Sequence, residues 1–155
     1  MNILAVSVAG ERFGLPITAV REILRAVALA PLPGAPPHVE GVLNARGELL
    51  AVFDLRARFG LPTRSIEPTD HLVVVRVGDR VVALRVDDAD ELIDVDDQQL
   101  VQSTALSPAL RRVAGVAALP DGAVVIHDLS AFLSETEAEA LDDALHAATL
   151  PTPQA

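Results

Sequence analysis

The chain consists of short apolar segments separated by turn residues. Each segment is rich in Val, Ile and Leu and is bounded by Gly, Pro or Asp, a pattern typical of β-strands. Gly78 and Asp79 separate two segments by the spacing of a tight hairpin turn, and Arg46–Gly47 stands between two others in a similar way. Antiparallel strands are therefore expected to dominate. The predicted strands are Ile3–Val8, Val39–Leu43, Leu49–Phe53, His71–Val77, Arg80–Val86, Leu92–Val95, Val113–Leu119 and Ala123–His127.

Two segments show helical signals instead. A short helix of a turn or two is predicted where apolar residues recur at helical spacing, at Ile17, Val20, Leu24 and Val27. A longer C-terminal helix is predicted over 134–148, where Ala, Leu and Glu dominate and Ser134 stands as the N-cap. Residues 60–70 and 101–111 carry Pro, Ser and Thr between apolar runs and are predicted to be surface loops.

An internal repeat organises the strands. Residues 41–59 align without a gap with residues 115–133, and the region around Leu4–Arg12 aligns with Leu72–Arg80. Each half then holds about five short strands, which suits a small barrel that protects its edges. The sequence thus predicts an all-β fold with short helices and a C-terminal helix, in which two small five-stranded barrels pack together. Residues 1–150 form one domain with halves at about 3–68 and 71–133, and residues 151–155 form a tail.

Composition and charge narrow the function. The chain has 155 residues, no Cys, 22 acidic residues against 12 basic ones, and a formal charge of -10. The lack of Cys removes thiolate catalysis and Cys-ligated metal centres and favours a reducing compartment, so a cytoplasmic location is expected. The negative charge opposes binding to nucleic acid and anionic lipid. No apolar run approaches the ~20 residues that a membrane span requires, so direct membrane insertion is not expected.

Catalytic and metal-binding patterns are weak. The four histidines, His38, His71, His127 and His146, show no paired ligand spacing. The acidic run from Asp87 to Asp97 lacks the Gly and Glu positions of a calcium loop, so we interpret it as a solvated acidic strand edge. No nucleophile elbow or phosphate-binding loop is present. We expect no catalytic residues, metal or cofactor; a hydrolase on a barrel scaffold is the alternative, but no pair of catalytic carboxylates supports it.

The turn Asn44-Ala45-Arg46-Gly47 leaves two interpretations open. It can be an ordinary hairpin turn, in which Gly47 takes the positive φ and Asn44 satisfies the local backbone. Alternatively, Arg46 projects from a rigid loop as an interface residue, because Arg pairs well with partner carboxylates. If Arg46 were instead a buried structural residue, its natural partner would be Glu22.

A series of short motifs then resembles the CheW family of chemotaxis coupling proteins. The motifs stand in order at Phe13–Pro16, Val20–Ile23, Pro33–Pro36, Gly41–Gly47, Val52–Leu55, Val86–Asp87 and Gly115–Leu119. Each is short, but their order and spacing are specific, and the resemblance runs from Ile3 to about Ala148. It implies two SH3-like or OB-like five-stranded barrels, between which a strand can be exchanged.

The resemblance also implies a function. It is that of a non-catalytic adaptor that joins the cytoplasmic tips of methyl-accepting chemoreceptors to the regulatory domain of a CheA-like histidine kinase. Such an adaptor would associate with membrane receptor arrays only through its partners. An alternative is a paralogue for non-flagellar motility or another chemosensory pathway, with or without kinase binding. The positions that match the family's partner-binding residues are Val20, Glu22, Gly41, Asn44, Arg46 and Gly47.

Overall fold

The computed structural model describes residues 1–102, 113–120, 122–127, 133 and 135–149, which form mostly strands. The strands are β1 (Asn2–Val8), β2 (Glu11–Pro16), β3 (Val20–Arg25), β4 (Val39–Ala45), β5 (Glu48–Asp54), β6 (His71–Val77), β7 (Arg80–Val86), β8 (Asp88–Asp94), β9 (Leu100–Gln102), β10 (Val113–Leu119) and β11 (Gly122–His127). The helices are α1 (Leu55–Arg58) and α2 (Glu135–Thr149), and 3-10 turns cover Ile17–Ala19 and Asp97–Gln99. Neither helix is long and apolar enough to cross a membrane in this described part of the chain.

The strands form two sheets that exchange hairpins. The six-stranded sheet has the order β8-β1-β2-β11-β10-β9, and the five-stranded sheet has the order β3-β6-β7-β5-β4. The β1–β2 hairpin therefore lies among strands of the second half of the sequence, and the β6–β7 hairpin lies among strands of the first half. Four strand pairs therefore join the two halves: β1 with β8 and β3 with β6 are antiparallel, and β2 with β11 and β5 with β7 are parallel. The halves at 3–68 and 71–133 describe the duplication, whereas each sheet takes strands from both of them.

The strand orders match once the duplication is applied. The strands β1, β2, β3, β4 and β5 correspond to β6, β7, β8, β10 and β11, and these equivalents occupy the same places in the two sheets. Even the additional strand β9 has a counterpart, because Ala30 forms an isolated bridge to Val42 where Val101 pairs with Val116. The all-β class and the two-unit organisation are thus confirmed. The sheets of the described residues are not closed barrels, since β3 and β4 end the five-stranded sheet without pairing with each other.

The short helix predicted over Ile17–Val27 is wrong. Only Ile17–Ala19 turns, and Val20–Arg25 is the strand β3, which pairs with β6. Side chains along β3 alternate between half-buried and exposed, with Val20, Glu22 and Leu24 half-buried. The spacing of Val20 and Leu24 fits one helical turn, but a bulge after Val20 shifts the strand register, so that Val20 packs on the central cluster and Leu24 on the cluster at the opposite face of the sheet. Backbone hydrogen bonds to the edge of β6 stabilise the strand in preference to the helix.

Three further strands differ from the sequence prediction. Strand β2, over Glu11–Pro16, is not among the predicted strands. Strand β8 begins at Asp88, well before the predicted start at Leu92. Strand β9 occupies residues 100–102, so the predicted loop 101–111 begins within a strand. The other predicted loop, 60–70, contains no strand or helix. Ser134, residues 103–112 and the tail 151–155 lie outside the described residues.

Three apolar clusters fill the structure. The largest takes buried side chains from both sheets and from α2, including Phe53, Leu84 and Leu141. A second lies on the opposite face of the six-stranded sheet around Ile126, and a third lies on the opposite face of the five-stranded sheet around Leu72. Each sheet therefore buries both faces, and the shared central cluster joins the two sheets.

The packing of α2 predicts a large effect at Leu141. This side chain is 1% exposed within the central cluster, so Leu141→Ala should lower the free energy of unfolding by about 2 to 5 kcal/mol in denaturant titrations. Asp143→Ala, on the exposed side of the same helix, is the control and should change it by no more than about 0.5 kcal/mol. Equal effects of the two substitutions would show that α2 does not depend on this contact.

Candidate partner-binding site

The β4–β5 hairpin turn has a strained arginine at its tip. Strand β4 ends at Ala45 and β5 begins at Glu48, so Arg46 and Gly47 are the two central residues. Their φ angles are 55° and 85°, the left-handed values of a type I′ turn. Gly47 adopts this conformation without penalty, whereas for Arg46 the left-handed backbone conformation costs about 1 kcal/mol of stability. Asn44 supports the turn, because the Gly47 amide donates to its Oδ1 at 2.9 Å.

Arg46 is exposed and paired with one carboxylate. Its Nη1 lies 3.2 Å from Glu22 Oε2, while 81% of the arginine side chain and 24% of the glutamate side chain are exposed. Glu22 is therefore the partner that the sequence indicated, but the arginine is a surface residue rather than a buried one. The structure thus brings together four of the six predicted residues, Glu22, Asn44, Arg46 and Gly47, which we call the turn site.

The other two predicted residues have structural roles nearby. Val20 begins β3 and packs its half-buried side chain against the central cluster. Gly41 lies at a bulge of β4, where a Cβ atom would stand 2.4 Å from the carbonyl oxygen of Ala30. The backbones of Ala30 and Val42 exchange two hydrogen bonds there, of 3.1 and 2.7 Å. Gly41 therefore allows a close approach between two backbone segments.

Sequence reasoning missed a second ion pair beside the turn site. Arg21 Nη1 donates to Glu48 Oε2 at 3.1 Å, and both side chains are about half-exposed. These residues are 27 positions apart, so no local motif connects them, although each stands next to a predicted site residue. Both ion pairs border a cavity of about 80 Å³. Its lining residues are Arg21, Glu22, Ala45, Arg46, Glu48, Leu50 and Val74.

A buried arginine contacts both strands of the β4–β5 hairpin at the end opposite to the turn. Arg85 of β7 is 4% exposed, and its Nη2 lies 2.6 Å from Glu40 and 3.0 Å from Asp54. Its Nη1 lies 3.2 Å from Asp70. Three carboxylates thus surround one guanidinium, and Asp70 is shared with Arg64 at 2.6 Å. Burial and the surplus of negative charge make full ionisation of this cluster unfavourable.

Asp87 corrects the interpretation of the acidic run. Strand β8 does lie at a sheet edge, and Asp88 and Asp94 are exposed. Asp87, however, is only 25% exposed and accepts hydrogen bonds from Arg56 at 2.7 Å and Arg64 at 3.1 Å. It also accepts from the backbone amide of Ala9 at 2.9 Å. Asp87 therefore connects the β1–β2 turn to the region around α1 and is not a solvated edge residue.

Within the cluster around Arg85, Glu40 is the carboxyl group whose ionisation is unfavourable. Burial raises the pKa of Glu40 to about 7, Arg85 opposes the shift, and the Asp54 carboxylate adds to it. A carboxyl group with a raised pKa stabilises the fold while it is protonated, and this contribution falls as the pH rises from about 4.5 to about 7. Burial also lowers the pKa of His127 to about 4. The stability that comes from the neutral imidazole is therefore lost as the pH falls from about 6.5 to about 4, which is the opposite pH dependence to that of Glu40.

A comparison of the wild type with Glu40→Gln isolates this effect. Glutamine keeps the size of the side chain but cannot ionise, whereas His127 acts alike in both proteins. We expect the stability of the variant relative to the wild type to increase between pH 5 and pH 8, because only the wild type loses the favourable protonated form. Denaturant titrations at several pH values measure it, and a constant difference over this range would contradict the assignment.

The close approach at Gly41 predicts a different effect. Gly41→Ala would force the Ala30 segment away from β4, because the carbonyl oxygen is backbone and cannot rotate aside. We expect a loss of about 1 to 3 kcal/mol in unfolding free energy. Gly34→Ala provides a contrast, because Gly34 has open space around it but a positive φ, so an alanine there meets backbone strain without crowding. Unchanged stability of Gly41→Ala would contradict the packing role.

Comparisons with known proteins identify the family. The sequence model of the family described as CheW-like domain matches residues 2–137 of this chain. The chain belongs to the CheW-like family. A chemotaxis protein CheW of Rhizobium meliloti is 32% identical over 143 residues, which cover 90% of this chain and 91% of that protein. The family assignment drawn from the short motifs is thus confirmed.

Other relatives show how far the similarity of this CheW-like chain extends. The crystal structure of the scaffolding protein TtCheW from Thermoanaerobacter tengcongensis superimposes with a TM-score of 0.79 at 27% identity, covering 88% of this chain and 94% of that one. The protein FrzA of Myxococcus xanthus is 42% identical over 82 residues, 48% of this chain and 51% of that protein. The relatives therefore include a scaffolding protein and one that is not named CheW.

Proposed function

We propose that this CheW-like chain is a non-catalytic, cytoplasmic adaptor that couples chemoreceptor tips to the regulatory domain of a CheA-like histidine kinase. Family membership over residues 2–137 supports the class of function. The single structural observation that carries the proposal is the exposed Arg46, held in a left-handed conformation at the tip of a type I′ turn. Strain of this kind persists where the surroundings enforce it, and it concentrates at functional positions.

The arrangement of Arg46 suits recognition of an acidic group. Glu22 contacts one terminal nitrogen, and most of the guanidinium remains accessible. A planar guanidinium can bind a partner carboxylate through two parallel hydrogen bonds, which an ammonium cannot do. Because Asn44 and Gly47 fix the turn before a partner arrives, binding orders little additional backbone. The signal would then pass through unequal affinity for the two states of the kinase or receptor array.

A second candidate follows from the similarity to FrzA. The same adaptor chemistry could serve a pathway for non-flagellar motility, with different receptors and with or without kinase binding. The identity to FrzA is high, but it extends over only 82 residues. Titration of the purified chain with receptor tips and CheA-like kinases from its own organism distinguishes the two candidates by which of them bind.

Substitution of Arg46 tests the adaptor proposal. Arg46→Glu should preserve stability to within about 0.5 kcal/mol, because the residue is exposed. It should weaken binding of a receptor tip or a kinase regulatory domain by about 2 kcal/mol or more, about 30-fold, in calorimetric titrations. Arg46→Lys should also weaken binding, since it loses the two-pronged contact.

Arg25→Glu is the matched control for charge. Arg25 is an exposed arginine of β3, and its substitution changes the net charge by the same amount without touching the hairpin. Unchanged affinity of Arg46→Glu for both partners would remove Arg46 from the interface. Failure of the wild type to bind either class of partner would defeat the adaptor proposal itself.

A further inference from the structure

Side chains make the direct contact between the two parts of the turn site. Glu22 lies on β3, and Arg46 lies on the turn after β4, but β3 and β4 are the opposite ends of the five-stranded sheet. Their backbones do not pair in the described structure, and three strands separate them in the sheet order. Backbone pairing holds the two elements near each other, through the continuous sheet and through the Ala30–Val42 bridge that joins the segment after β3 to β4. Within the described structure, however, Glu22 and the turn itself meet through side chains, so side-chain contacts set their alignment.

A β-bulge aims two neighbouring side chains of β3 at the hairpin. Val20 pairs with Val75 and Glu22 pairs with Val74, so Arg21 is the additional residue. In a regular strand, neighbouring side chains point to opposite faces. Here Arg21 and Glu22 both reach the hairpin, at 3.1 Å from Glu48 and 3.2 Å from Arg46. Bulges change the direction of side chains in this way.

Each of the two elements carries an arginine followed by a glutamate, and they pair crosswise, Arg21 with Glu48 and Glu22 with Arg46. Strand β3 offers Arg21 and then Glu22, and the hairpin offers Arg46 and then Glu48. If the bulge were lost or moved by one residue, Arg21 would take the place of Glu22 and face Arg46. Like charges placed opposite each other are destabilising. The charge pattern therefore selects the bulged register over the alternative.

From this geometry we infer that Arg21 and Glu48 are positioning residues, which hold the β3 bulge against the hairpin and thereby fix the Arg46–Glu22 pair. Both are about half-exposed, and exposed ion pairs add little to global stability. Their contribution is instead to the alignment of the turn site. This inference rests on the proposed function, because its value to the protein lies in presenting Arg46 to a partner.

A charge swap tests the inference. Arg21→Glu and Glu48→Arg should each weaken binding of the receptor tip or kinase domain by about tenfold, because each places like charges side by side. The double variant restores opposite charges and keeps the net charge, so its affinity should return to within about threefold of the wild type. Arg25→Glu again controls for the charge change on β3, and thermal midpoints should stay within about 2 °C throughout.

A measurement without a partner separates the possible failures. Hydrogen–deuterium exchange should become faster at residues 20–22 and 44–48 in the single variants and recover in the double variant, while β7 is unchanged. If binding falls in the singles and does not recover in the swap, the two residues contact the partner directly and the positioning role is wrong. If the singles bind normally while Arg46→Glu does not, only this inference fails. If no partner binds the wild type, the proposed function fails. Unchanged hydrogen–deuterium exchange in the single variants overturns the positioning role, whatever the binding result.

Discussion

The two halves of the chain exchange hairpins, and this exchange positions all the other strands of the two sheets. Neither half of the duplicated sequence can complete a sheet with its own strands, because each sheet inserts a hairpin from the other half between its strands. Strand β3, which carries Glu22, pairs only with β6 of the second half within the described structure. The hairpin that carries Arg46 is connected to β6 through β7. The second half therefore sets the positions of two elements that both belong to the first.

Buried charges reinforce this exchange at the junction between the halves. Arg85 of the second half meets Glu40 and Asp54 of the first, and Asp87 of the second half meets Arg56 and the turn at Ala9. Ion pairs of this kind bring a large desolvation cost, so they stabilise little compared with apolar packing, but removal of one partner is expensive. Pairing with strands of the same half would leave these groups uncompensated. The network thus opposes the wrong arrangement of hairpins more than it strengthens the right one.

Local pattern was enough to predict most strands and the geometry of the hairpin turn. Short apolar runs bounded by turn residues indicate β1, β5, β6 and β7, which are buried along almost their whole length, and the residue pair at 46 and 47 indicates the tight turn. Alignment of the two halves showed the duplication but not the exchange, since the parallel contacts of β2 and β5 join distant segments. The spacing of Val20 and Leu24 predicts a helix at β3, because the bulge that turns these two residues to opposite faces of the sheet is visible only in the register with β6.

The same limit applied to the candidate site. Family motifs indicate Glu22 and Arg46, but Arg21 stands at the unspecified position of the motif Val20–Ile23 and Glu48 follows the motif Gly41–Gly47. Their contact depends on a bulge that is visible only in the strand register. Asp87 illustrates the reverse case, because a run of acidic residues concealed one member with a structural role. Charge patterns in the sequence indicate which residues are available for pairing. The fold decides which of them meet.

The residues of the site fall into two physical classes, and this separation determines how binding data should be interpreted. Gly41, Asn44 and Gly47 shape the backbone, through a close approach, a side-chain hydrogen bond and a positive φ. Arg46 carries an accessible charge and contributes little to folding, and Glu22 pairs with it from a half-buried position. A substitution in the first class can abolish binding by deforming the turn, so a loss of affinity there does not show a contact. Only a loss of affinity at constant stability, as expected for the exposed arginine, assigns a residue to the interface.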